Sequence, residues 1–121
     1  MIPPIAAAAA ARDPRCASPT NADQRACLLA QMQRDDVALN RDYQALIGAL
    51  REVSGGREPR AVSALRDEQR AWLVERDRAC RAATKAQAGL YWGAARVPCF
   101  AELSQRRAAA LRARRVRLVG A

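Results

Sequence analysis

Apolar residues in this chain recur at helical spacing. Met32, Asp36, Leu39, Tyr43, Leu46, Leu50 and Val53 advance in alternating steps of four and three, and Leu28 and Ile47 widen the stripe. That spacing predicts one long amphipathic helix. Val62, Leu65, Gln69, Trp72, Arg76 and Ala79 repeat the pattern, flanked by Leu73, and Phe100, Leu103, Arg107 and Leu111 begin it a third time. No segment alternates with period two, so strands are not expected.

Local signals set the boundaries. Ser18, Pro19, Thr20 and Asn21 offer cap-forming side chains, with Asp23 and Gln24 at capping-box distance, so helix one starts there and runs to about Ser54. Gly55 and Gly56 stop it, because glycine enters the left-handed region without steric penalty. Pro59 suits the first turn of helix two, which reaches about Ala83. A looser stretch from Lys85 to Val97 follows, interrupted by Gly89 and Gly93, and Pro98 reopens a third helix. Three amphipathic helices with a short first connection predict an all-α fold, an antiparallel three-helix bundle.

Four cysteines, Cys16, Cys27, Cys80 and Cys99, fall at one pole of such a bundle. Their spacing contains no short zinc knuckle and the chain has no histidine, which favours two disulfides over a metal site and points to an oxidising compartment. Pairing Cys16 with Cys27 and Cys80 with Cys99 closes two segments that otherwise lack regular structure; the spacing leaves the other two pairings open. Residues 1–15, with alanines from Ala6 to Ala11, read as a signal-peptide remnant or a disordered tail. No run elsewhere approaches the length of a membrane span.

Composition narrows the chemistry. The absence of histidine removes Ser-His-Asp and Cys-His dyads and H-E-x-x-H zinc sites, so an enzyme is disfavoured and no cofactor or metal is expected. The net charge of +9 raises the prior on anionic partners. Six arginines (Arg106, Arg107, Arg112, Arg114, Arg115 and Arg117) lie in residues 106–121, with no acid among them. Residues 112–121 read as a basic C-terminal tail that could meet anionic lipid or polymer. Nucleic acid is disfavoured, because aromatics are not interleaved with these arginines.

Polar residues interrupt the seams. Asp36, Gln69, Arg76 and Arg107 occupy positions that suit leucine, with Asn40 and Asp77 beside them. Antiparallel packing brings Asp36 to the level of Arg76, so these residues are expected to form a buried, mutually satisfied structural network; a lone Asp with arginines lacks the second acid or nucleophile that hydrolysis requires. Tyr91 and Trp92, in the loop before Pro98, are the candidate contact surface, the alternative being a plug for the disulfide end.

The string Cys16…Cys27, Asp36-x-x-Leu39-Asn40-x-x-Tyr43-x-x-Leu46, Leu65-x3-Gln69-x2-Trp72-Leu73-x2-Arg76-Asp77-x2-Cys80, Cys99-x4-Ser104-x2-Arg107-x3-Leu111 resembles the LprI-like family of small bacterial envelope proteins. The resemblance covers roughly residues 16–111, which marks out the helical domain, with Ser104 where threonine is usual. It implies a helical, disulfide-bonded protein, periplasmic or secreted, and names lysozyme or another envelope protein as the partner to test. An inhibitor could place an arginine or hydroxyl on the acids of the lysozyme cleft. Animal lysozymes are basic, so long-range repulsion opposes encounter and recognition must rest on local complementarity. The competing reading is an envelope-associated structural or polyanion-binding module.

Overall fold

A computed structural model describes residues 13–57, 59–84 and 92–120. A short 3-10 turn, Pro14–Ala17, precedes three long helices, α1 (Asn21–Val53), α2 (Arg60–Ala83) and α3 (Trp92–Val119). Among the described residues there is no strand. The all-α class and the antiparallel three-helix bundle are both realised, with α3 running alongside α1 and α2 opposite to both.

The ends of α1 follow their local chemistry. Thr20 caps it by accepting the Asp23 amide at 3.3 Å, while the buried Gln24 donates its Nε2 to the Pro19 carbonyl. At the other end Gly55 and Gly56 take φ of +73° and +87°, letting the Gly56 amide reach back to the Arg51 carbonyl at 2.8 Å. Two otherwise orphaned carbonyls, of Arg51 and Glu52, are satisfied this way. Pro59 occupies the cap position before Arg60, one residue ahead of the expected first turn.

The third helix departs from expectation. It begins at Trp92, and Pro98 sits inside it. An interior proline removes one backbone hydrogen bond and ordinarily breaks a helix. Here the flanking residues are held by tertiary contacts: Val97 and Phe100 are buried, and Cys99 is bonded to Cys80 of α2. Anchoring on both sides of Pro98 overrides the local preference for starting a helix there. The helix also continues through the basic stretch to Val119, and Leu118 packs against the core.

Both disulfides have the expected pairing, Cys16 with Cys27 and Cys80 with Cys99. They lie at the pole where α1 begins, α2 ends and α3 begins. Further along, Leu39, Leu46 and Ile47 of α1, Val62 and Leu65 of α2, and Ala108 and Leu111 of α3 form the apolar belt, with Tyr43, Leu50 and Trp72 packed on it. Full burial of each leucine or valine contributes about 2 kcal/mol. One end is therefore tied by sulfur and the other by hydrocarbon.

The helices are not equally close. α1 packs most extensively against α3, because α3 presents Ala101, Ser104 and Ala108 at helical spacing and small side chains allow the backbones to approach. α2 turns Gln69, Trp72 and Arg76 inward, and their bulk holds it off. The tight α1–α3 contact also rotates the buried face of α1. Gln31 and Asp35 are buried, Met32 and Asp36 are only partly covered, and Val53 is exposed, which corrects the expected seam at those three positions.

Candidate functional site

Arg76 ties the bundle together. Its side chain is 3% exposed; Nη1 donates to Asp36 Oδ1 of α1 at 2.6 Å and to Ser104 Oγ of α3 at 3.1 Å, and Nε donates to Asp77 Oδ1 at 3.2 Å. The guanidinium also lies over the rings of Trp72 and Phe100, 5.5 Å and 5.1 Å from their centroids. A buried cation is tolerated only when its charge and its donors are met, and this one has carboxylates, a hydroxyl and two π faces.

Arg107 repeats the arrangement one layer on. Its Nε donates to Gln69 Oε1 at 2.9 Å, its Nη2 to Glu68 Oε2 at 2.7 Å, and its guanidinium also lies over the Trp72 ring, 5.8 Å from the centroid. Glu68 accepts a second bond from Arg114 at 2.6 Å. Burial pushes the Glu68 carboxyl up, but the bonds and charges of Arg107 and Arg114 outweigh it and hold the group below the usual range. Of the six polar residues expected to cooperate, Asp36, Arg76 and Asp77 meet in one cluster and Gln69 and Arg107 in the next, sharing Trp72. Asn40 stands apart, exposed on α1. Glu68 and the role of Ser104 were not anticipated; the available signal was an acid next to Gln69 facing an arginine-rich helix.

The basic end of α3 is largely answered by the chain's own acids. Arg106 pairs with Glu102, Arg107 and Arg114 with Glu68, and Arg112 with Asp42. Arg115 and Arg117 are exposed, with no acidic partner among the described residues. Tyr91 lies outside the described residues. Trp92 was expected in a loop; its backbone is instead the first residue of α3, because that helix extends upstream of Pro98.

Because α2 stands off from α1, a groove of about 790 Å³ opens between them. Leu39, Tyr43 and Leu73 supply apolar surface, Asp36 and Asn40 line the α1 side, and Arg66 and Arg70 line the α2 side. Val37, also lining it, and Val74, next to Leu73, are 63% and 56% exposed.

On the face of α1 turned away from the groove, Asp35 Oδ2 and Gln31 Nε2 are buried without hydrogen-bond partners. Burial, followed by the charge of Asp36, pushes the Asp35 carboxyl up to about 6 despite Arg76 and Arg34 nearby. At the pole, Asp13 lies beside the sulfurs of Cys16 and Cys27, but those sulfurs are bonded to each other, so they are not thiolate ligands.

Residues 13–111, most of the chain, match the family model described as lysozyme inhibitor LprI. The chain belongs to the LprI family. No curated protein and no solved structure matches it. Within this LprI-family chain, Ser104 keeps the hydroxyl that threonine would supply, and the hydroxyl is spent on Arg76.

Proposed function

We propose that this LprI-family chain is a non-catalytic binding protein that works outside the cytoplasm, in the periplasm or after secretion, and inhibits lysozyme. The family match over residues 13–111 carries the reading. The geometry supports it: Arg76 is engaged by Asp36, Asp77 and Ser104, and Arg107 by Gln69 and Glu68, so these side chains serve a sulfur-tied scaffold whose surface is available for recognition. None of the described helices is long and apolar enough to cross a membrane. The test is a muramidase assay on cell-wall suspensions with the oxidised chain. Dose-dependent loss of lysis supports the reading; full lysis at micromolar excess across several lysozyme types removes it.

A second reading has its own observation. Arg115 and Arg117 are exposed beside Val116 and Val119, which are 46% and 50% exposed, a combination suited to anionic lipid or polymer. Sedimentation with anionic vesicles that is lost with salt and with Arg115→Glu/Arg117→Glu supports it; salt-independent binding rejects it. Internal pairing of the other four arginines predicts that the footprint is small.

A further inference from the structure

The charged and the neutral polar groups that line the α1–α2 groove differ in how they are satisfied. The charged ones are already engaged: Asp36 Oδ1 by Arg76 at 2.6 Å, Arg70 by Asp67 at 3.6 Å, and Arg66 by an interaction of its own. The neutral ones are open. The amides of Gln33 and Asn40 and the hydroxyl of Tyr43 have no hydrogen-bond partner among the described residues. Gln69, on the α2 wall, is only 7% exposed. A guanidinium can only donate, so the bond from Arg107 occupies Oε1 and leaves Nε2 a donor with no partner among the described residues. In the same way Arg76 holds Asp36 by Oδ1 and leaves Oδ2 to accept from the groove. The two arginine clusters thus orient a donor on one wall and an acceptor on the other. A largely buried donor without a partner is costly, so a ligand that meets Nε2 gains a bond to a group already held in place.

We propose that this groove is a binding site for a neutral oligosaccharide. A sugar ring carries hydroxyls that both donate and accept around its edge, and its faces are C–H surfaces. The hydroxyls accept from Gln69 Nε2, donate to Asp36 Oδ2 and do both with the Asn40 amide and the Tyr43 hydroxyl, while the ring faces pack on Leu39, Leu73 and the Tyr43 ring. The charges favour a neutral ligand: an anion would compete with Asp67 for Arg70 and a cation with Arg76 for Asp36, whereas hydroxyls displace neither. A docked helix would cover the apolar residues, but its backbone groups are bonded internally and would leave Nε2 unmet. The size is suitable. Gln33 to Tyr43 is about 15 Å of helix at about 1.5 Å per residue, long enough for a short oligosaccharide, and the volume of about 790 Å³ is that of a small-molecule site. The proposal does not depend on lysozyme inhibition.

The experiment titrates the oxidised, nitrogen-15-labelled full chain with a tetramer of N-acetylglucosamine and, separately, with a tetramer of glucose, and follows the side-chain amide signals by NMR. The signals of Gln33, Asn40 and Gln69 are expected to move with at least one sugar. Response to the acetamido sugar alone makes the acetamido group part of recognition; response to both makes the shared ring and hydroxyls sufficient. Asn40→Ala/Tyr43→Phe, which touches no ion pair or disulfide and keeps the Tyr43 ring, should weaken binding about tenfold or more through the lost hydrogen bonds. Arg115→Glu/Arg117→Glu, at the far end of α3, should leave it unchanged. The wild-type titration needs no variant to fold. No movement of these signals with either sugar at millimolar concentration, movement confined to residues outside the groove, or equal binding by the Asn40/Tyr43 variant overturns the proposal and leaves lysozyme inhibition standing. A chain that binds sugar in the groove yet inhibits no lysozyme overturns that reading and leaves this one.

Discussion

Asp35 makes the stability of this protein depend on pH in a direction opposite to that of a salt-bridged carboxylate. Its carboxyl is pushed up from 3.8 to about 6 in the fold, by burial first and the neighbouring Asp36 second. Below about pH 4 the group is protonated whether the chain is folded or not. Between about 4 and 6 the folded chain holds a proton that the unfolded chain releases, so stability falls as pH rises, and above 6 the penalty is complete. A shift of this size corresponds to a ceiling of about 3 kcal/mol, at 1.36 kcal/mol per pH unit. Asp35→Asn removes the charge with little change of shape. Urea unfolding followed by far-ultraviolet circular dichroism, disulfides intact, at pH 4, 5, 6 and 7 compares the two proteins. The stability of the variant relative to wild type should rise by up to about 3 kcal/mol between pH 4 and 7. Groups common to both proteins, such as Glu68 with its lowered pKa, cancel in the difference. A difference that stays flat from pH 4 to 7 would show that Asp35 is solvated or paired, and the reasoning would be wrong.

Three other outcomes follow from the packing. In a double-mutant cycle on Asp36→Ala and Arg76→Ala, the first change should cost about 2 kcal/mol, since Asp36 is partly exposed, and the second about 3–4 kcal/mol; a coupling energy near zero in chemical denaturation would contradict the network. Cys80→Ser/Cys99→Ser should lose about 3 kcal/mol by freeing the unfolded chain, and retention of full stability in guanidinium would show the staple to be idle. Ala108→Leu should overpack the α1–α3 contact by about 1–3 kcal/mol, whereas an unchanged melting temperature would mean that the small residues of α3 are not what brings the helices together.

Much of this protein was legible before folding was considered. Three- and four-residue steps specify helices, Thr20 and the glycines at 55 and 56 specify the ends of α1, and two sulfur bridges follow from four cysteines without histidine or knuckle spacing, because each of these is a local property of residue types and intervals. The interplay of Asp36 with Arg76 was also readable, since antiparallel pairing sets their level. Whatever depended on how near two helices lie was not readable. Small residues on α3 drew α1 close and turned Asp35 and Gln31 inward in place of Met32 and Asp36, and sulfur and buried side chains around Pro98 carried α3 upstream to Trp92. The bulk of Trp72 and Arg76 kept α2 away and opened the groove. Interhelical distance is set by all the side chains at an interface together, so it belongs to the assembled bundle and to no single stretch of chain.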